Sequence, residues 1–119
     1  MRRVLLAPCV LLLTTTAVAA DQRDCQRAIA VSARAALIAD AAILADCQRA
    51  VVAGARPAGT DCVADPGTAM RRRRAAQVRL QRIGAVCDDP TVAALAPGGE
   101  CFGATGVAAL IDCLHAGHA

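Results

Sequence analysis

QRDCQRAIAVSARAALIADAAILADCQRAVVA, residues 22–53, runs for 32 residues without a glycine or a proline. Alanine and arginine, both strong helix formers, are abundant in it. Ile29, Ala33, Ala36, Leu37, Ile43, Leu44, Cys47 and Val51 recur at three- and four-residue steps, which predicts one long amphipathic helix. Within the stretch, Asp24-Cys25-Gln26-Arg27-Ala28 returns unchanged as Asp46-Cys47-Gln48-Arg49-Ala50. The offset is about six helical turns, so the two pentads face nearly the same way. Cys25 and Cys47 therefore share a face near opposite ends of one rod, about 33 Å apart at 1.5 Å per residue.

Downstream, residues 54–67 (GARPAGTDCVADPG) read as a loop by their glycines and prolines. Asp65 before Pro66 is a helix start, with Asp as N-cap and Pro at the first helical position. A second helix is predicted from there to about Cys87. Its apolar stripe is Ala69, Ala76, Leu80, Ile83 and Cys87, with Arg71, Arg74, Arg79 and Arg82 pointing elsewhere. Arg73 falls on the apolar side and is expected to reach Asp40 or to extend past the edge into water.

The two rods have similar reach. Folded back as an antiparallel hairpin, they bring Cys47 to Cys62 near the loop and Cys25 to Cys87 at the open end. The same register places Ile29 near Ile83, and Asp40 near Arg71 and Arg73. The expected pairs are Cys25–Cys87, Cys47–Cys62 and, by remainder, Cys101–Cys113, which ties a short third helix (Val107 to about His115) to its incoming loop. Thr91 to Ala96 has the makings of one or two further helical turns. The expected fold is all-α: a disulfide-stapled antiparallel helical hairpin plus a short third helix. Each closure is worth roughly 3–4 kcal/mol in the chain-entropy account, and an alanine-rich interface that buries little area per residue has need of it.

The cysteines also speak for compartment. Six of the seven lie beyond residue 20, an even number, with the closest two twelve positions apart. Zinc sites bring ligands in closer pairs, and a C-x-x-C redox motif is missing. Asp24, Asp46, Asp61 and Asp112 each directly precede a cysteine, and Asp88 follows Cys87; a neighbouring carboxylate disfavours thiolate. Structural disulfides are the reading, and they belong in an oxidising compartment.

The N-terminus agrees with export. Arg2 and Arg3 supply a positive start, Val4–Leu13 an apolar run, and Ala17-Val18-Ala19-Ala20 a small-residue cleavage site after Ala19 or Ala20. Thr14, Thr15 and Thr16 interrupt the run short of the roughly 20 apolar residues a span requires. Pro8 before Cys9 weighs against a lipoprotein. Arg2-Arg3 also suits a twin-arginine signal, but that route carries folded cargo, and a reducing cytosol would leave the thiols unpaired. Residues 1–20 are thus expected to be a signal peptide and residues 21–119 a small helical three-disulfide domain, periplasmic or extracellular, with its mature form not spanning a membrane.

Composition excludes more than it affirms. The chain carries +3; without residues 1–20, 11 arginines face 10 acidic residues, so no global field steers it to nucleic acid or an anionic membrane. Lys, Asn, Trp and Tyr are absent and Phe102 is the one aromatic ring, so no stacking platform for bases is available. Ser32 is the only serine and Glu100 the only glutamate, which leaves nucleophilic catalysis short of parts. Neither an enzymatic activity nor a cofactor is expected.

Two local features invite function. Arg71-Arg72-Arg73-Arg74 forms a basic cluster, and Arg71, Arg72, Arg74, Arg79 and Arg82 are the candidate anion-binding residues. Consecutive helical residues point about 100° apart, so the run encircles the helix, and it sits where the macrodipole disfavours cations. Asp40, Asp61 and Asp65 are candidate acidic partners within the chain. Asp112, His115 and His118 form D-x-x-H-x-x-H, a spacing that suits metal ligands along one side of a helix, but the last turn is prone to fraying and a polar tail is the expectation.

Asp24-Cys25-Gln26-Arg27-Ala28-Ile29-Ala30, a second cysteine late in the long helix, an Asp-Cys loop, a helix running to Cys87, then Leu95-Ala96-Pro97 and a final Asp112-Cys113-Leu114 follow in order. In this layout the chain resembles uncharacterised exported cysteine-rich helical proteins of environmental bacteria. The resemblance implies a helical, disulfide-bonded fold and carries no function. The expected role is a non-enzymatic structural or protein-interaction module with a protein partner; the alternatives are a weak binder of polyanions or acidic lipid, and a carrier of small apolar ligands.

Overall fold

The computed structural model describes the backbone of residues 15–117 and the side chains of residues 21–117. Of the expected leader, residues 1–14 lie outside the described residues, as does His118. Every regular element among the described residues is helical: α1 (Thr15–Val52), α2 (Pro66–Leu80), α3 (Asp89–Leu95) and α4 (Val107–Ala116), with 3₁₀ turns at Gln81–Ala85 and Gly99–Cys101.

α1 begins earlier than the sequence reading placed it, since Thr15–Ala20 holds no helix breaker either. Gly54, at φ +71°, ends it. Its N–H donates to the Val51 carbonyl and the Ala55 N–H to Ala50, the paired bonds of a glycine-terminated Schellman helix end. α2 starts as its sequence predicts: Asp65 accepts from the Thr68 backbone N–H at 2.8 Å, and Pro66 occupies the first turn. It stops sooner than expected. The α geometry gives out at Leu80, and Gln81–Ala85, which contains β-branched Ile83 and Gly84, winds into a tighter 3₁₀ turn before Cys87.

α1 packs along α2, and three cysteine pairs lie at disulfide distance. Cys25 and Cys87 sulfurs are 2.07 Å apart, Cys47 and Cys62 2.02 Å, and Cys101 and Cys113 2.10 Å. The buried stripe of α1 is Cys25, Ser32, Ala36, Ala39 and Cys47, small side chains throughout, and Leu37 turns outward. On α2 the facing stripe runs Thr68, Ala76 and Leu80 in steps of four or eight. Position 72 belongs to that same row, so Arg72 takes the place expected for Arg73. Its Nε donates to Asp40 Oδ1 at 2.5 Å and its Nη2 to Asp40 Oδ2 at 3.1 Å. Arg73 is exposed. A register one residue off rotates a helical side chain by about 100°, which is the whole of this correction.

The apolar core sits toward one end. Leu80, Ile83, Val92 and Leu110 are sealed from solvent beside Cys25, Ala36 and Ala76, with Ile29, Leu95, Val107 and Leu114 packed against them. Beyond Cys87, α3 occupies the stretch expected for one or two helical turns and α4 the expected third helix. Asp88 caps α3 by accepting from the Thr91 N–H at 2.9 Å, and Asp89 reaches across to accept from the Val107 N–H at 2.8 Å, capping α4 from a neighbouring helix. Gly106 makes this approach feasible, because a Cβ there would stand 2.9 Å from Asp89 Oδ1.

Toward the α1–α2 loop the seam turns polar. Arg56 forms an ion pair with Asp65 at 2.8 Å beside the Cys47–Cys62 pair, its guanidinium 3.6 Å from Cys47 Sγ.

Candidate functional site

A cleft of about 560 Å³ opens where α1, the α3 exit and α4 converge. Ile29 and Ala30 of α1 form one wall. Leu110, Cys113 and Leu114 of α4 form the other, and Leu95-Ala96-Pro97-Gly98 the rim. The rim is built by turn chemistry: Ala96 takes a left-handed conformation (φ 43°) as α3 ends, and Pro97 cannot continue a helix. Gly99, at φ +67°, then starts the 3₁₀ turn, whose Cys101 is joined to Cys113. A loop that would otherwise wander is thus held against α4.

The lining is mainly aliphatic. Glu100, exposed at the rim, and Gln26 are the polar side chains that border it. Such a surface suits aliphatic groups, with one carboxylate available to a donor or cation on the occupant. Nothing in the sequence periodicity pointed here, because the walls come from elements 60 or more residues apart; Leu95-Ala96-Pro97-Gly98 was the one local signal.

The arginines distribute themselves differently from a single patch. Arg72 is committed to Asp40 between the helices, with side chains only 13% and 19% exposed; its guanidinium pKa is raised by that bond. Arg71 lies 3.8 Å from Asp46, which also pairs with Arg49. Arg79 donates to the Ala75 carbonyl at 3.0 Å. Arg71, Arg74 and Arg79 border a shallow hollow of about 320 Å³ with Ile43 and Val78, while Arg82 stands apart from its lining and is exposed.

The sequence reading passed over Arg56, whose pair with Asp65 is the strongest local electrostatic effect. The Arg56 guanidinium, with the Thr68 hydroxyl and N–H, holds the Asp65 carboxyl down at about 2. Asp88 is lowered by its bonds to Thr91. Asp61 serves its own turn, accepting from the Val63 N–H at 2.9 Å.

Among the described residues, no three His, Cys, Asp or Glu side chains are grouped as a metal site. His115 holds its Nε2 enclosed with no hydrogen-bond partner, while Asp112 is exposed. Ser32 is buried in the α1 seam, remote in role from any exposed nucleophile. Comparison with family models, with curated proteins and with solved structures yields no match, so the chain's function has to be read from its own surfaces.

Proposed function

We propose that this chain is an exported, non-enzymatic protein-interaction module: a disulfide-stapled antiparallel hairpin of α1 and α2, closed by the α3–α4 unit, that grips aliphatic side chains of a partner in the cleft. The cleft carries this reading. It is a concave aliphatic surface of about 560 Å³ whose rim is tied down by the Cys101–Cys113 pair, and a pre-formed site of that kind gains affinity by sparing the cost of ordering its own loop. Three cysteine pairs at bonding distance favour an oxidising compartment, and hence export.

The test uses Ala30, an exposed residue on the cleft wall whose enlargement leaves the core alone. A peptide library displayed on phage is selected against the signal-free protein and counter-selected against Ala30→Arg. Leucine- and isoleucine-rich sequences that bind the first and not the second support the reading. Sequences that ignore the substitution remove the cleft from the function. The cleft also gives the small-ligand alternative a physical basis. Uptake of a fluorescent fatty acid by delipidated protein, blocked by Ala30→Arg, would replace a protein partner with a carrier role. Non-reducing peptide mapping tests the hairpin: a bond from Cys25 to any cysteine but Cys87 discards it.

A further inference from the structure

The side of α1 turned away from α2 is apolar over most of its length. Val31 and Ile38 are 62% and 60% exposed, and Ala42 is exposed between charged ends. The most apolar 18-residue window of Asp21–Val52 has a mean hydropathy of 1.8, and only 17% of it is buried. An uncovered face of this kind marks a contact surface.

Its spacing is that of a helix-pairing seam. Ala28, Val31, Ala35, Ile38, Ala42 and Ala45 follow one another at alternating steps of three and four, the heptad pattern. Asp24, four residues before Ala28, and Arg49, four residues after Ala45, extend the seam at its ends, flanked by Arg27 and Asp46. These four are the charges of the repeated pentad; within one chain Asp46 pairs with Arg49 and lies 3.8 Å from Arg71, so a contact with a second copy would have to share Asp46 and Arg49 with those partners.

We propose that the mature chain forms a two-fold dimer in which α1 of one copy lies antiparallel to α1 of a second copy along this seam. With the axis between positions 36 and 37, Asp24 meets Arg49 of the second copy and Arg27 meets Asp46 of the second copy. Two-fold symmetry repeats both pairs at the other end. In the same register Val31 faces Ala42 and Ile38 faces Ala35, large against small, as close helix packing requires. A parallel pair would set Asp24 against Asp24 and Arg49 against Arg49, so the charges choose the antiparallel form. They also argue against a bilayer as the occupant, since Arg34 lies within the stretch that lipid would cover. Ile29 and Ala30 of the cleft wall lie off the seam, so this contact and the proposed partner site stand or fall separately.

Sedimentation equilibrium on the signal-free, disulfide-intact protein is the test. The expected result is twice the protomer mass, with Ile38→Glu at the protomer mass and its helical circular dichroism retained. Asp24→Arg alone and Arg49→Asp alone should each loosen the dimer roughly tenfold, because two ion pairs are lost at once. Asp24→Arg combined with Arg49→Asp should restore it. A wild-type protomer that stays single, a dimer indifferent to Ile38→Glu, a double reversal no tighter than either single one, or a monomer that floats with neutral phosphatidylcholine vesicles would each overturn the proposal.

Discussion

Asp40 and Arg72, 32 positions apart in sequence, join α1 to α2 by two hydrogen bonds of 2.5 and 3.1 Å. The pair stands where a packed helix seam would ordinarily carry an apolar contact, and both side chains are largely withdrawn from water. Its balance follows from desolvation: two charges give up hydration and recover it through one bidentate bond.

Removing one partner should therefore hurt more than removing both. Asp40→Ala is expected to cost about 2–3 kcal/mol by removing the carboxylate that the largely buried Arg72 guanidinium pairs with. Asp40→Leu with Arg72→Met should recover most of that loss. Urea unfolding of the three proteins measures both numbers, and a double variant as weak as the single would refute the account.

The Cys25–Cys87 pair closes the longest loop, with a sequence separation of 62 against 15 and 12 for the others. In the chain-entropy account its removal by paired Cys→Ala substitution costs about 4 kcal/mol, and loss of either other pair about 3 kcal/mol. Denaturant midpoints of the three double variants should rank in that order.

Acid should act through Asp65. Its folded pKa of about 2 lies below the ordinary carboxyl value of 3.8, so the folded state favours the charged carboxylate. The stabilisation is fully present above pH 4 or so, and is lost as the pH falls through 3.8 toward 2. Asp65→Asn should flatten the acid limb of the stability profile, and Arg56→Gln should move it to higher pH. Thermal melts between pH 2 and about 6 distinguish these slopes.

Ala96 and Gly106 give opposite outcomes to one atom. A left-handed alanine carries roughly 1 kcal/mol of strain, so Ala96→Gly should stabilise slightly or leave stability unchanged. Gly106→Ala sets a Cβ against Asp89 Oδ1 and should cost about 1–2 kcal/mol by displacing the cap of α4. Equal effects of the two in chemical denaturation would contradict the geometry.

The divided arginines predict weak polyanion binding. With Arg72 held by Asp40 and Arg71 beside Asp46, retention on heparin should be slight at low salt and vanish near physiological ionic strength. Strong retention abolished by Arg74→Gln with Arg82→Gln would restore the anionic-surface reading.

Much of this architecture was legible before any coordinates. A glycine-free run of 32 residues ending at Gly54, and Asp65 before Pro66, mark helix ends by backbone chemistry that needs no tertiary context. The gap from Cys25 to Cys47 states a length, and length decides which cysteines two adjacent rods can bring together. Arg72 was misread because a helix face is known from sequence only to within a residue. The cap that Asp89 supplies to α4, the pair of Arg56 with Asp65 and the cleft were invisible for another reason. Each depends on a meeting of segments that no local periodicity encodes.

The uneven placement of the core has a mechanical consequence. Near the Cys25–Cys87 end, Leu80, Ile83, Val92 and Leu110 interlock, whereas the opposite tip is held by Cys47–Cys62 and the Arg56–Asp65 contact. Once that one sulfur link is cut, residues around 47–65 have little oil to keep them shut and should open first, exchanging their amide protons while the far end remains closed. The molecule would then behave as a clasp, loosening from a tip that reductant and acid both address.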